Sequence, residues 1–185
     1  MIKFKNILII FVFCLIAYAN ITLIGENIIS KTNDDIIKLH LNVSFFTAFI
    51  SPFISIFFLF ISAKFMLFYY DVKIKGILLL DIITDSLLPT LLIGFFTFLI
   101  IYFNHNKINS IETFEEIENI TIIYNFTLIK ILNLYNFSWI IYFPLMIYFL
   151  LKKIDLSLKK SIIIVTFPTI LFLIFNYFLQ NVEFF

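Results

Sequence analysis

Long apolar runs alternate with short polar segments along the whole chain. Five runs are rich in Ile, Leu and Phe and almost free of charge; they cover residues 7–24, 45–70, 86–103, 132–151 and 161–180. Each run approaches or exceeds the ~20 residues that a helix needs to cross the hydrocarbon core of a bilayer. Because lipid offers the backbone no hydrogen-bond partners, these runs are expected to be helices. The pattern predicts an all-α, polytopic transmembrane bundle of five helices, with residues 1–185 forming a single membrane domain.

The composition of the chain indicates the same apolar surroundings. Hydrophobic residues make up 62% of the 185 residues and charged residues 14%, whereas a soluble domain has about 45–50% apolar and about 25% charged residues. We therefore expect the lipid bilayer to surround most of the chain. The net charge is only +1 and the sequence contains no arginine. Both features argue against a nucleic-acid partner, since arginine is the preferred residue for phosphate recognition.

The distribution of lysine predicts the orientation in the membrane. If the N-terminus and the second and fourth loops lie inside, most of the 13 lysines face the cytoplasm, as positive charge usually does. This predicts an N-in, C-out protein of the cell (plasma or inner) membrane. The segment LKKIDLSLKK (Leu151 to Lys160) is then a tight cytoplasmic turn between the fourth and fifth helices. Its four lysines are predicted to anchor the topology or to contact lipid headgroups: Lys152, Lys153, Lys159 and Lys160.

The first apolar run permits a second interpretation. Lys3 and Lys5, a short apolar stretch and the residues AYA before Asn20 also fit a cleavable signal peptide. Cleavage after Ala19 would leave four helices without changing the rest of the topology. We expect the first helix to be retained, although the sequence leaves both interpretations open.

Two polar loops carry a helical pattern of their own. In DVKIKGILLLDIITDS, Asp81, Thr84 and Asp85 share one helical face and most other positions after Gly76 are Ile or Leu. This pattern predicts an amphipathic helix that lies in the inner interface of the membrane. The outer loop SIETFEEIENITIIYNF places apolar residues three apart among glutamates, which predicts a second, acidic interfacial helix. Both segments are expected either to dock a partner or to cap the bundle.

Small and polar residues form stripes within the predicted spans. They are Thr47, Ser51, Ser55 and Ser62 on the second helix; Thr90, Gly94 and Thr97 on the third; Asn133 and Asn136 on the fourth; and Thr166, Thr169 and Asn176 on the fifth. In lipid, close contacts and interhelical hydrogen bonds hold helices together, because apolar surface alone gives no driving force. The stripes therefore predict a helix-packing seam, with a polar conduit as the alternative.

Groups that would support catalysis or cofactor binding are sparse in the sequence. Asp81 and Asp85 precede the predicted third span, and no span carries an acid at mid-depth. The histidines, His40 and His105, are far apart and lack the spacing or cysteine partners of a zinc site. We therefore predict no catalytic residue, no cofactor and no metal, and a protein that is not an enzyme.

Two segments of the chain resemble the Yip (Ypt/Rab-interacting protein) membrane-domain family. SLLPTLL (Ser86 to Leu92) resembles the proline-bearing entry to that family's third helix. NFSWIIYFPLMIYFLLKKIDLSLKKSIIIV (Asn136 to Val165) resembles its fourth helix and the short turn that follows. The resemblance covers about residues 45–180 and implies five close-packed helices, N-in and C-out. Within that family, the chain resembles the bacterial members. These look like accessory proteins of the cell membrane, and some of them are associated with export machinery.

Two functional hypotheses follow from these observations. The first is a non-catalytic membrane adaptor or accessory protein that binds other integral membrane proteins, for example during assembly of an ABC-type exporter or another membrane complex. The second is a small transporter or channel component in which the polar seam runs between proline-kinked helices. The sequence does not name the partner, the substrate or the oligomeric state.

Overall fold

The computed structural model of the chain describes residues 3–31, 35–108, 121–123 and 126–181. The described part is predominantly helical. Its helices are α1 (Phe4–Lys31), α2 (Asp35–Tyr69), α3 (Gly76–Ser86), α4 (Leu88–Phe103), α5 (His105–Ile108), α6 (Leu128–Phe137), α7 (Trp139–Ile154) and α8 (Leu158–Asn181). Before α6, a short antiparallel hairpin pairs β1 (Thr121–Ile123) with β2 (Phe126–Thr127). The predicted acidic interfacial helix of the outer loop falls mainly on residues 109–120, outside the described residues.

Three helical segments are long and apolar enough to cross a membrane. Among the described residues these are Phe4–Glu26, Asp35–Tyr69 and Gly76–Phe103. They coincide with the first three predicted apolar runs and identify a helical membrane protein. The fourth and fifth predicted spans fall on α6–α7 and on α8, and the total of five crossings stays a prediction.

Two predicted helices differ from the structure in how they are divided. The third span does not begin at residue 86, because α3 leads into α4 with only Leu87 between them. The interruption precedes Pro89, which occupies the first turn of α4 and lacks the N–H that would continue the hydrogen-bond ladder. The fourth predicted span is likewise two helices, α6 and α7, which are separated at Ser138.

The main hydrophobic core surrounds α3. Leu79, Ile82 and Ile83 of this helix are fully buried, and α3 packs against α1, α2 and α7. The other helices complete the core with the buried residues Phe13, Ile56, Ala63, Leu67, Tyr142, Leu150, Ile164 and Val165. The helix predicted at this position is therefore confirmed, and its location in the inner membrane interface stays a prediction. Its apolar face is covered by protein, and its acids point toward α1 and α7 rather than into open water.

A second, smaller core lies at the opposite end of the bundle. It joins the C-terminal part of α1 and the N-terminal part of α2 to α4, α5, the hairpin and α6. Its buried residues are Ile24, Leu41, Ile101, Ile108, Ile122, Leu128 and Ile131. The two cores lie at opposite ends of the α1–α2 pair. Packing along the whole length of α1 and α2 therefore determines how these two helices are placed relative to each other.

Candidate functional site

A network of polar and charged side chains joins α1 to α3 at one end of the bundle. Asp81 is only 5% exposed and forms an ion pair with Lys3. Its second carboxylate oxygen accepts a hydrogen bond from Asn6 Nδ2 at 2.7 Å. Lys3 keeps 59% of its side chain exposed. The lysine therefore reaches the acid from the surface, while the acid itself lies inside the protein.

Asn6 is the fully buried centre of this network. The side chain is 0% exposed, and its Oδ1 lies 3.1 Å from the hydroxyl oxygen of Thr84, which is also buried. Asp81 and Thr84 are three residues apart on α3, and Lys3 and Asn6 are three apart at the start of α1. That spacing places each pair on one helical face. One turn at the N-terminal end of α1 and one turn of α3 thus bring these four polar side chains into a single hydrogen-bonded network.

Asp85, one turn further along α3, connects the network to α7. Its Oδ1 pairs with Lys5, and its Oδ2 lies 2.8 Å from Lys153 Nζ in the last turn of α7. The four carboxylate oxygens of Asp81 and Asp85 therefore each accept a bond from a lysine or an amide. We call Lys3, Lys5, Asn6, Asp81, Thr84, Asp85 and Lys153 together the charged cluster.

The geometry of the charged cluster suits holding helices in place. A buried carboxylate is costly unless it is paired and hydrogen-bonded. Lys3 and Asn6, at the N-terminal end of α1, meet both conditions for Asp81, and Lys153 of α7 pairs with the less buried Asp85. Breaking one pair leaves an uncompensated group, so the cluster stabilises one arrangement of α1, α3 and α7 over others. Within the described residues, no group of three or more His, Cys, Asp and Glu side chains is placed to hold a metal ion.

Sequence reasoning missed this cluster. It assigned Asp81 and Asp85 to the polar face of an amphipathic helix in the inner membrane interface, and named no partner for either acid. The signal that was available is the matched spacing of two acids at i, i+4 on one segment and two lysines at i, i+2 on another, Lys3 and Lys5. That pattern indicates complementary charge but does not indicate that the segments meet.

The predicted polar stripe of α4 lies inside the bundle. Thr90, Gly94 and Thr97 are buried. The carbonyl of Gly94 lies 3.4 Å from Asn20 Nδ2 of α1, and the Thr90 hydroxyl lies 3.4 Å from the carbonyl of Ser138 at the α6–α7 junction. These contacts place the α4 stripe where α1, α6 and α7 meet it.

The stripe of α2 is divided between the inside and the outside of the bundle. Ser62 is buried and Ser55 is half-buried, whereas Thr47 and Ser51 are exposed. The Thr47 hydroxyl donates to the carbonyl of Val43 in its own helix at 2.7 Å, so this hydrogen bond ties it to no neighbouring helix. The N-terminal half of the α2 stripe is therefore directed away from the helices that the structure describes.

The remaining seam residues lie mostly at the surface. Thr166 and Asn133 are exposed and Thr169 is half-buried. Both threonines donate to carbonyls four residues earlier, those of Ile162 and Val165, at 2.9 and 2.8 Å. The side chains of Asn136 and Asn176 lie outside the described ones. The α4 stripe thus contacts Asn20 and Ser138, which were not among the predicted seam residues, whereas Thr47, Ser51 and Thr166 are exposed.

The four lysines that were predicted to anchor the topology lie around the turn between α7 and α8. Lys153 belongs to the charged cluster and also lies 4.7 Å from the ring centre of Phe149. Lys152 contacts Tyr148, and Lys160 lies 5.4 Å from the ring centre of Tyr70, distances typical of cation–π pairs. Lys159 is exposed. Aromatic rings thus position three of the lysines at this end of the bundle.

An apolar groove runs between α1, α2 and α3 beside the charged cluster. It consists of two adjoining cavities of about 270 and about 590 Å³. The first is lined by Ile10, Phe53, Ile56, Phe57, Phe60, Gly76, Ile77 and Leu80. The second is lined by Ile7, Ile10, Phe11, Cys14, Phe49, Ile50, Phe53 and Leu80. Ile10, Phe53 and Leu80 border both cavities, which makes them one continuous groove.

A scan of protein-family models, a search of curated proteins and a search of solved structures each find no match to this chain.

Proposed function

We propose that this protein is a non-catalytic, multi-pass adaptor or accessory protein of the cell membrane that binds other integral membrane proteins through the outer face of α2. The observation that carries the proposal is the exposure of Thr47 and Ser51 on a helix of membrane-spanning length. Small and hydroxyl-bearing residues mark helix–helix contacts in lipid, because they allow backbones to approach closely. Here they face outward, where a helix of another protein can reach them.

The charged cluster supports an adaptor because it holds the binding face in a fixed position. Its ion pairs join α1, α3 and α7, and α2 packs against α1, α3 and α8. A rigid helix face loses less conformational entropy on association than a mobile one. The Yip-type resemblance of Ser86 to Leu92 and Asn136 to Val165 adds an expected class of partner, the membrane subunits of an ABC-type exporter.

Site-specific cross-linking tests this proposal. A photoreactive amino acid is placed at Thr47 or Ser51 of the full chain in native membranes. A control carries it at Leu92, a 59%-exposed residue of α4. We expect a discrete cross-linked membrane protein at both α2 positions and only lipid adducts at Leu92. The double variant T47L/S51L should lose co-purification of the same partner in mild detergent. Lipid adducts alone at all three positions would contradict an adaptor that acts through α2.

A small transporter or channel component is the second candidate. The observation in its favour is the buried Oδ1 atom of Asn20, which has no hydrogen-bond donor among the described residues. It lies where α1 meets the polar stripe of α4. The groove lining, by contrast, is apolar throughout, and this supports the adaptor. Solute or ion flux into proteoliposomes that is abolished by Asn20→Leu would favour the transporter over the adaptor.

A further inference from the structure

We propose that the groove between α1, α2 and α3 binds an acyl chain of an anionic phospholipid, whose phosphate is held by Lys73 and Lys75. The inference is independent of the adaptor function, since it concerns a different face of α2. It rests on three properties of the groove: an apolar lining, a length that matches one leaflet, and exposed lysines at one end.

The lining of the groove fits hydrocarbon. Every side chain that borders it is aliphatic or aromatic apart from Cys14, and Gly76 adds only backbone. The groove opens to the outside, because Ile7, Phe11, Phe53 and Phe57 are each 50–57% exposed. In a bilayer this opening faces the acyl chains, so a chain can enter from the side without crossing a polar barrier.

The length of the groove matches the depth of one leaflet. On α2 it extends from Phe49 to Phe60, which at 1.5 Å per residue is about 16 Å. Half of the ~30 Å hydrocarbon core is about 15 Å. On α1 it extends from Ile7 to Cys14, in the opposite direction along the bundle. A chain that enters near Gly76 therefore ends near the middle of the membrane.

The position of two lysines places the headgroup at the Gly76 end. Residues 72–75 are non-helical and connect α2 to α3. Val72 and Ile74 pack against the core, whereas Lys73 and Lys75 are exposed. Lys75 directly precedes Gly76, which lines the groove.

The lysines of the charged cluster differ from these two in their partners. Lys3, Lys5 and Lys153 are paired with Asp81 and Asp85. Among the described residues no ion pair engages Lys73 or Lys75. Their charge is therefore directed to the outside, where a phosphate at headgroup depth complements it. This complementarity selects an anionic lipid over a zwitterionic one.

Lipid binding to the purified full-length protein tests the proposal. Native mass spectrometry from mild detergent would measure retention of phosphatidylglycerol against phosphatidylcholine of the same chain length. We expect preferential retention of phosphatidylglycerol. A basic residue at an anionic surface contributes about fivefold in affinity, so K73Q/K75Q should weaken phosphatidylglycerol binding by about 20- to 30-fold. Inorganic phosphate should not compete, because it lacks the acyl chain.

Two further variants separate a specific site from general attraction to a basic surface. The control K152Q/K159Q removes the same charge from the same end of the bundle. These lysines lie outside the groove lining, so any headgroup contact they make should lower phosphatidylglycerol retention far less than the 20- to 30-fold expected for K73Q/K75Q. Ile10→Trp fills the groove where the two cavities meet and should reduce retention of both lipids. Equal retention of the two lipids, or equal losses for K73Q/K75Q and K152Q/K159Q, would overturn the proposal. If Ile10→Trp does not fold, the comparison of the two lysine pairs decides alone.

Discussion

At the scale of single residues, we expect the two acids of the charged cluster, Asp81 and Asp85, to contribute unequally to the stability of the protein. Asp81 is 5% exposed and accepts the amide of Asn6, which is fully buried. Asp81→Ala leaves that amide without its acceptor, at a cost of about 1–3 kcal/mol in the free energy of unfolding. Asp85 pairs with Lys5 and Lys153, whose side chains are 51% and 30% exposed. Both lysines can return to water, so Asp85→Ala should cost under about 1 kcal/mol.

Thermal unfolding in detergent, followed by circular dichroism, measures this difference. Asp81→Asn is the matched control, because its amide oxygen still accepts from Asn6 and should restore part of the stability. Equal destabilisation by Asp81→Ala and Asp85→Ala would show that the network around Asn6 contributes nothing beyond the surface ion pairs.

Asp81 and Asp85 also show which features of single residues could not be predicted from the local sequence. The apolar runs and the lysine clusters could be recognised directly, since membrane insertion and loop charge depend on local composition. Burial of Asp81 depends on Lys3 and Asn6, which are 78 and 75 residues away in the sequence. A carboxylate can be buried only when such a partner is present, and local pattern carries no information about that distant contact.

At the scale of helices, the packing of α1 on α2 depends on Gly25. A Cβ atom at this position would overlap the ring of Phe45. Gly25→Ala should therefore force the Phe45 ring aside and destabilise the protein by about 1–3 kcal/mol. Gly76→Ala is the matched control, since its Cβ would lie 3.4 Å from Phe60, an ordinary contact. Unfolding midpoints that fall equally for both variants would contradict a close α1–α2 approach at Gly25.

The turn between α7 and α8 depends on the backbone of Asp155. This residue ends α7 in the left-handed conformation, with φ 57° and ψ 39°. Glycine adopts this region freely, aspartate does so at modest cost, and a β-branched residue is strained there. Asp155→Val should lower stability by about 1–2 kcal/mol, whereas Asp155→Gly should be tolerated. Comparing the melting temperatures of the two variants tests this; a tolerated valine would argue against the left-handed helix end.

Helix existence was easier to predict than helix division. Long runs of Ile, Leu and Phe predicted helical segments that the structure contains. The interruptions at Leu87 and Ser138 were not predicted, because the apolar pattern continues across both positions. The extension of the third span back to Gly76 was missed for the opposite reason. Two acids interrupted the pattern although the helix continued through them.

At the scale of the whole molecule, α1 is an integral part of the bundle. It continues without interruption from Phe4 to Lys31, across the site where a signal peptidase would cut after Ala19. Cleavage there would remove Lys3 and Asn6, the partners of Asp81. We therefore predict that the first helix is retained. Intact-mass measurement of the protein from native membranes checks this, and a mass reduced by residues 1–19 would contradict it.

The charged cluster also bears on how the chain is threaded through the membrane. It brings the start of α1, the C-terminal half of α3 and the end of α7 to one end of the bundle. The lysine distribution predicts that these same segments lie together in the cytoplasm. Asp35, at the start of α2, belongs to the opposite end, since α2 follows α1 in the reverse direction. We therefore predict that Ser157 and Asp35, both exposed, face opposite sides of the membrane.

Cysteine labelling in intact cells measures this orientation. In a Cys14→Ser background, which removes the single native cysteine, a membrane-impermeant maleimide should label Asp35→Cys from outside. It should label Ser157→Cys only after the membrane is permeabilised. The Cys14→Ser protein without a further cysteine is the control and should not be labelled. The native protein should also remain unlabelled, because Cys14 is buried. Labelling of Ser157→Cys in intact cells would reverse the orientation. Labelling of both positions from one side would contradict the antiparallel threading of α1 and α2 through the bilayer.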